Sequence, residues 1–252
     1  MRIFKTFDEA RNEIKRDLKE MGLRVEGRYK QDKLGSFPTM ELINYGYTVL
    51  EPHLDDLNPV HGWSCAEWNE REAGIFGNPQ NPGYAWKFRR DLQMDWAEYL
   101  EYNGEPLRPG VTLELAQQAL PQFKDDQYGF AYTYSQRFAT GDQVFKVIRE
   151  LRRNPESRQL YISLWHLVED PDRLGKRRVP CSLGWHFMMR EGKLHMTYTM
   201  RSCDFVTHWD NDVWLALRLQ TFVADRGGFP IGHFCHFINS FHVYEKDVKD
   251  VF

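Results

Sequence analysis

The first part of the chain alternates between helical and extended spacing of its apolar residues. This spacing predicts a strand over residues 38–49 and helices over residues 7–21, 63–73, 87–102 and 141–153. In the last of these helices one face carries Val144, Val147, Ile148 and Leu151. Gly22 is placed to end the first helix, and the composition of residues 74–83 predicts a loop.

The second part of the chain consists of short aromatic or β-branched runs separated by turns. These runs predict strands over residues 159–167, 181–189, 193–200 and 233–237. Between the last two, residues 212–224 predict an apolar helix that Arg226-Gly227-Gly228 ends. No internal repeat or linker interrupts the pattern. We therefore predict one α+β domain over residues 1–252, with helices covering a mostly antiparallel or mixed sheet.

Composition narrows the class of protein. With 42% hydrophobic and 15% aromatic residues, the chain is a folded globular protein. Its net charge of -3 argues against nucleic acid as a partner, because counterion release needs a basic surface, but it allows one nucleotide held by a few arginines. The N-terminus has no signal-peptide core, and no apolar run is long enough for a membrane span. The scattered cysteines predict reduced thiols and a cytoplasmic protein: Cys65, Cys181, Cys203 and Cys235.

Cys181 is the first candidate for chemistry. It follows Pro180 and precedes a predicted strand, which places its thiol at a strand entrance. Arg177 and Arg178 are close in sequence, and cationic neighbours favour the nucleophilic thiolate form. A buried structural cysteine is the alternative for any single thiol.

Three further segments carry candidate binding residues. A turn at Gly192 between two predicted strands brings Arg201 back toward Cys181, where it is suited to bind a phosphate. Arg158, in a helix-to-strand connection, is suited to bind an anion. His242 and Tyr244 are two residues apart, so on a strand they share one face. Taken singly, each segment also fits an ordinary turn or a packed core.

Together these segments resemble the thymidylate synthase family. The resemblance rests on PESR at 155–158, PC at 180–181, RSCD at 201–204 and HxY at 242–244. It also rests on the spacing from Cys181 to Arg201 and from Gly232 to His242, and it covers roughly residues 128–246. PTMEL near the N-terminus further resembles the phage deoxycytidylate (dCMP) 5-hydroxymethylases of that family. The implied fold is a thymidylate synthase-like mixed sheet covered by helices.

The resemblance implies a reaction at carbon 5 of a pyrimidine nucleotide. Cys181 is implied to add to C6, and Tyr132 to help organise this nucleophile. C5 then attacks the one-carbon unit of 5,10-methylenetetrahydrofolate, a cosubstrate that Asp204 is implied to contact and Trp86 to stack on. No metal is implied.

The resemblance also implies how a nucleoside monophosphate is held. Arg201 binds the phosphate together with Arg158 from the second subunit of a homodimer. Gln159 departs from the family pattern, where a second arginine is usual, which lowers the expected phosphate affinity. The other implied contacts, to the nucleotide and to the 3′ side of its sugar, are Ser202, His242 and Tyr244.

The choice of base depends on one position. Eight residues after Asp204 the chain has Asp212, where thymidylate synthases carry asparagine. A protonated carboxyl donates to N3 of cytosine and accepts from its exocyclic amine, whereas an amide suits uracil. Asp212 therefore predicts cytosine. Asn211, one position earlier, keeps uracil open, because a one-residue slip presents an amide to the base.

Two features bear on the product, which is either a methyl or a hydroxymethyl group. Reduction benefits from a closed, dry site. The chain ends at Phe252, shortly after Tyr244, whereas thymidylate synthases continue and use their C-terminus as a lid. Ser182 stands after Cys181 where synthases often place histidine. Both features favour water as the final nucleophile, and hence 5-hydroxymethyl-dCMP.

Proton transfer at C5 needs a positioned acid or base, which the resemblance implies on the helix near residue 67. Glu67 is our candidate, with Glu70 and Glu72 as rivals; a solvated helix face is the alternative for all three.

Several other functions stay open at this point. Within the same chemistry they are a dCMP or CMP 5-methyltransferase, a CMP hydroxymethylase, and a thymidylate synthase or hydroxymethylase specific for dUMP. A non-catalytic nucleotide- or RNA-binding relative is a more distant alternative. A zinc deaminase is disfavoured, because the H-x-E…P-C-x-x-C signature is missing.

Overall fold

The computed structural model describes residues 1–26, 38–75, 133–174 and 179–251. The chain forms two compact units. The sheet unit comprises Met1–Pro59, Val144–His166 and Pro180–Phe252, and the helical unit comprises Val60–Gln143 and Leu167–Val179. The predicted loop at 74–83 falls mostly outside the described residues, and the predicted helix at 87–102 falls wholly outside them.

The sheet unit is built on one mixed seven-stranded sheet. Its strands lie in the order β1-β3-β7-β6-β5-β4, with β2 paired to β3. The pairs β1/β3 and β6/β7 are parallel and the others are antiparallel, which confirms the predicted mixed sheet. The strands are β1 (Arg2–Phe4), β2 (Leu23–Val25), β3 (Thr39–Val49), β4 (Leu160–Ser163), β5 (Ser182–Arg190), β6 (Lys193–Asp204) and β7 (Ile231–Tyr244).

Three helices of this unit form where their apolar stripes predict them: α1 (Phe7–Met21), α4 (Gln143–Arg153) and α6 (Trp209–Gly227). The side chain of Thr6 caps α1 by accepting a hydrogen bond from the amide of Glu9, a contact typically worth about 1 kcal/mol. The four residues predicted to share one face of α4 are all buried. Gly228, in the left-handed conformation at φ 87°, ends α6 as predicted.

The helical unit contains α2 (His61–Ile75), α3 (Tyr134–Ala139) and α5 (Glu169–Arg173). Inside this unit Arg137 of α3 lies 3.0 Å from the fully buried carboxylate of Asp170 on α5. Removing one partner from such a buried pair typically costs about 3–5 kcal/mol, because the other charge is left uncompensated. This ion pair therefore joins the two short helices.

An irregularity crosses the sheet at one level. In β3, β7, β6 and β5 the alternation of buried residues shifts phase. In the first three strands two consecutive residues leave the core pattern, namely Ile43-Asn44, Asn239-Ser240 and Arg201-Ser202, and in β5 the shift is a bulge at Leu183. Asn44 has φ 53°, and its side chain accepts a hydrogen bond from the Asn239 amide at 2.9 Å. Since a shift of one residue exchanges the two faces of a strand, the sheet presents different residues beyond this level.

Two strands were predicted with the wrong length, one too short and the other too long. The strand predicted at 233–237 runs from Ile231 to Tyr244, because β7 continues through the phase shift, where its polar residues hide the alternation. The strand predicted at 159–167 ends at Ser163, whose hydroxyl donates to the carbonyl of Trp165 at 3.1 Å. The predicted turn at Gly192 is present, with Glu191 and Gly192 both at positive φ.

Candidate active site

Cys181 lies directly before β5, at the strand entrance predicted for it. The amide of Arg201 donates to the carbonyl of Cys181 at 2.8 Å, and its Nε donates to the carbonyl of Pro180 at 2.8 Å. These bonds bring Nη2 of Arg201 to 3.5 Å from the Cys181 sulfur. The predicted proximity of the two side chains is therefore confirmed. Arg177 and Arg178 lie outside the described residues.

Three residues beyond Arg201 along β6, one row of the sheet holds three polar side chains on neighbouring strands. Asp204 on β6 and Glu41 on β3 are the two register partners of His242 on β7. Asp204 is 6% exposed, and its Oδ1 accepts a hydrogen bond from the amide of Val206 at 3.0 Å. An imidazole thus lies between two carboxyl groups.

His242 is electrically neutral in this environment near neutral pH. Burial lowers its pKa, an effect that the charges of Asp204 and Glu41 partly oppose. The hydroxyl of Ser240 lies 3.4 Å from Nδ1. The ring of Tyr244 is perpendicular to the imidazole at 5.3 Å, so the two side chains share one face as predicted. A neutral imidazole beside a phenol offers both donors and acceptors to a polar ligand.

Asp212 and Asn211 occupy the first turn of α6 in different surroundings. Asn211 is 3% exposed and donates its amide to the carbonyl of Thr207 at 3.1 Å. Asp212 is half-buried. The pKa of the buried Cys203 thiol is raised by burial first, and then by the negative charges of Asp212, Asp204 and Cys181. These three groups therefore lie within electrostatic reach of the same buried atom.

The remaining predicted contacts in the sheet unit are more exposed. Ser202 is half-buried and pairs in register with Ser240. Arg158 is exposed, and its carbonyl lies 2.9 Å from Nε2 of His186. Among the described residues, its guanidinium has no hydrogen bond or ion pair. Gln159, beside it, is also exposed.

The predicted carboxylates of α2 have different partners within the helical unit. Glu67 accepts a hydrogen bond from Arg71 at 2.6 Å. Glu70 is buried and accepts one from Ser135 at 2.7 Å, whereas Glu72 is half-buried. The assignment of Glu67 as acid or base stays a prediction. Tyr132 and Trp86 lie outside the described residues.

The sequence argument missed two residues that belong to this neighbourhood. Glu41 faces His242, and the alternation in PTMEL already placed it on one face with Thr39, which pairs with Tyr244. The hydroxyl of Tyr198 forms a hydrogen bond with the hydroxyl of Ser182, the residue after Cys181. No sequence signal marked Tyr198, because the contact depends on the register of β5 and β6.

The structure thus gathers a thiol, a guanidinium, carboxyl groups and a neutral imidazole at one end of a mixed sheet. Such a set is typical of enzymes that use a cysteine nucleophile on an anionic substrate. A family profile described as thymidylate synthase matches residues 49–252. The chain belongs to the thymidylate synthase family.

Individual relatives agree with this assignment. The chain is 28% identical over 229 residues to a protein named putative thymidylate synthase from Methanothermobacter thermautotrophicus, covering 89% of this chain and 86% of that protein. It is 33% identical over 122 residues to a putative thymidylate synthase of Methanosarcina barkeri, covering 47% and 55%. A solved thermostable thymidylate synthase A from Bacillus subtilis superposes with a TM-score of 0.63 at 21% identity, covering 98% of this chain and 83% of that one. This likeness supports the fold.

None of the described helices is both long and apolar enough to cross a membrane. Among the same described residues, no three His, Cys, Asp or Glu side chains form a group that could hold a metal ion.

Proposed function

We propose that this member of the thymidylate synthase family, whose enzymes transfer one carbon to C5 of a pyrimidine nucleotide, is a dCMP 5-hydroxymethyltransferase. The observation that carries the choice of cytosine is the carboxyl of Asp212. Asp212 acts electrostatically on Cys203 together with Cys181, whereas the side chain of Asn211 is buried against the carbonyl of Thr207. This difference favours Asp212 as the group that meets the base.

In the proposed reaction the Cys181 sulfur adds to C6 of the pyrimidine. The guanidinium of Arg201 lies 3.5 Å from the sulfur and suits the substrate phosphate. A protonated Asp212 donates to N3 of cytosine, which stabilises the adduct. The C5 carbon that results is nucleophilic and forms a bond to the one-carbon unit.

The one-carbon unit comes from 5,10-methylenetetrahydrofolate, the donor used in this family. We assign a contact with this cosubstrate to Asp204, which is buried in the row of His242 and has one carboxylate oxygen occupied by the Val206 amide. Trp86 is the proposed stacking partner of the pterin. Tyr132 and Glu67 are the proposed groups for organising the nucleophile and moving the C5 proton.

The last steps release the product. Loss of the C5 proton expels the folate and leaves an exocyclic methylene at C5. Water adds to this methylene, and the Cys181 sulfur then leaves C6. The product is 5-hydroxymethyl-dCMP, and the folate leaves as tetrahydrofolate. Ser202, His242 and Tyr244 are the proposed contacts to the nucleotide and its sugar.

The test is to incubate the enzyme with methylenetetrahydrofolate and dCMP, CMP or dUMP in turn, and to measure product mass and dihydrofolate. We expect turnover of dCMP to a product heavier by one CH₂O unit, without dihydrofolate. Dihydrofolate with a methylated product would instead identify a methyltransferase. Preference for CMP would assign a ribonucleotide substrate, and preference for dUMP would contradict the argument from Asp212.

We further propose a homodimer formed through the open face of the sheet. The side chains of Tyr161, His186, Cys235 and Phe237 on this face are exposed or half-buried, unlike those on the core face. Arg158 lies beside this face through the contact of its carbonyl with His186, and its guanidinium is available for a ligand of the second subunit. An isologous dimer places each Arg158 symmetrically toward the other subunit.

Mixing two inactive variants tests this arrangement. We expect Arg158→Ala and Cys181→Ala each to lose activity alone, and a reassociated equimolar mixture to recover about a quarter of wild-type activity, because half of the dimers then hold one complete site. The readout is dCMP turnover after mild dissociation and reassociation. As a control, Arg153→Ala, which removes an exposed arginine near the end of α4, keeps activity by itself. Absence of recovery in a mixture shown to form dimers would contradict a shared site.

A further inference from the structure

The backbone ladder is interrupted directly after Cys181. Ser182 pairs with Met200 and Gly184 with Thr199, so Leu183 is a bulged residue without a partner on β6. The carbonyl of Leu183 instead accepts a hydrogen bond from the amide of Leu164 at 3.0 Å. The nucleophile therefore lies where strand pairing gives the backbone less support than a regular ladder does.

A side-chain contact is present at this interruption. The hydroxyl of Ser182 lies 2.5 Å from the hydroxyl of Tyr198 on β6, and both residues are at most 1% exposed. In a site without bulk water, a hydroxyl pair of this kind is costly to break, because each group loses its partner. Ser182 is turned into the core, so its hydroxyl acts on the protein and not on the substrate.

Tyr198 is itself held rigidly. Its ring is stacked between Trp185 at 5.3 Å and His236 at 4.7 Å, with interplanar angles of 8° in both cases. The four rings Trp185, Tyr198, His236 and Tyr47 occupy register positions in one row across β5, β6, β7 and β3. All four are at most 1% exposed, so the row is a fixed support beneath the site.

The row continues to the helix that carries Asp212. Trp209, the first residue of α6, donates its indole N–H to the hydroxyl of Tyr47 at 2.9 Å, and that hydroxyl lies 2.9 Å from Nδ1 of His236. Burial lowers the pKa of His236 to about 3, so the imidazole is neutral. The hydroxyl of Tyr47 therefore accepts from Trp209 and also forms a hydrogen bond with the imidazole of His236.

We propose that Tyr198 is a positioning residue for the nucleophile. Through Ser182 it fixes the chain at Cys181 so that the sulfur stays beside the guanidinium of Arg201. The proposal rests on the proposed function only in taking Cys181 as the nucleophile, and it holds whichever pyrimidine is the substrate. Its physical basis is that a misplacement of about 1 Å in a catalytic group costs on the order of 100-fold in rate.

The test uses Tyr198→Phe, Ser182→Ala and the double variant in the full-length protein. Tyr45→Phe is the matched control, because it removes another tyrosine hydroxyl bond of the same sheet, the part-buried one to Asp17 at 2.6 Å. Two experiments are made. Steady-state kinetics gives kcat and KM for the nucleotide, and peptide mass spectrometry gives the rate at which iodoacetamide alkylates Cys181 without substrate. The alkylation rate reports on the thiol even if the assigned substrate is wrong.

We expect Tyr198→Phe to lower kcat about tenfold or more with a smaller change in KM, and to change the rate of Cys181 alkylation. Ser182→Ala and the double variant should match the single Tyr198 variant, because one contact is lost in all three. Tyr45→Phe should reduce thermal stability without changing either measurement on Cys181. Wild-type kcat and alkylation in Tyr198→Phe, or the same losses in Tyr45→Phe, would overturn the proposal.

Discussion

Cys181→Ala is expected to abolish release of tritium from C5 of labelled dCMP, with turnover reduced by about 10³-fold or more. Without the thiol no covalent bond forms at C6, so C5 never becomes nucleophilic and its hydrogen is not exchanged. The 3.5 Å separation of the sulfur from Arg201 is the geometric reason for choosing this cysteine among the four. Tritium release is the preferred readout, because it precedes the choice between methyl and hydroxymethyl product.

Cys65→Ala is the matched control for this prediction. Cys65 is exposed on α2, so its replacement should leave tritium release unchanged. Circular dichroism and thermal melting of both variants would establish that each is folded. Wild-type exchange in folded Cys181→Ala would mean that another group attacks the base, or that the protein only binds nucleotides.

The second large effect is expected from Asp212→Asn, which should change the preferred base from cytosine to uracil. An amide donates to O4 and accepts from N3–H of uracil, whereas cytosine presents the opposite pattern. Because a site built around a buried hydrogen bond strongly rejects the mismatched partner, we expect the ratio of kcat/KM for dCMP to that for dUMP to fall on the order of 10²–10⁴-fold. Steady-state kinetics with both nucleotides measures this ratio.

Asp210→Asn serves as the control, since it makes the same substitution in the same helical turn. Asp210, at the start of α6, accepts hydrogen bonds from the side chain of Arg11 and the backbone amide of Asn58. Its replacement should reduce stability and leave the ratio for the two bases unchanged. An unchanged ratio in Asp212→Asn would move the base contact to another residue, with Asn211 as the first to be examined.

The secondary structure was predicted well where one periodicity holds along the whole element. The buried face of α4 and the turn at Gly192 were both predicted, because each depends on local spacing alone. Prediction was poorer in β7, where Asn239 and Ser240 interrupt the alternation. The interruption looks like the end of a strand, but it is one part of a phase shift shared by four strands.

Some features of the site were likewise predicted from the sequence, and others were not. The proximity of Arg201 to Cys181 was predicted, because it follows from a hairpin, which is a local feature. The row of Glu41, His242 and Asp204 was not, because both of its contacts depend on the pairing of strands that are distant in the sequence. The helix of Glu67 was predicted, whereas its relation to the nucleophile stays a prediction.

By itself, the sequence determined the three helices of the sheet unit, the α+β class and the family, and it predicted Cys181 as the nucleophile, because these depend on local periodicity and on motifs with defined spacing. Only the tertiary structure decided which side chains surround that nucleophile. The reason is physical: a phase shift of one residue in each of four strands exchanges the faces of the sheet, and spacing along one strand carries no information about its neighbours. The contact between Ser182 and Tyr198 exists because of that shift, and it is where the sheet supports Cys181.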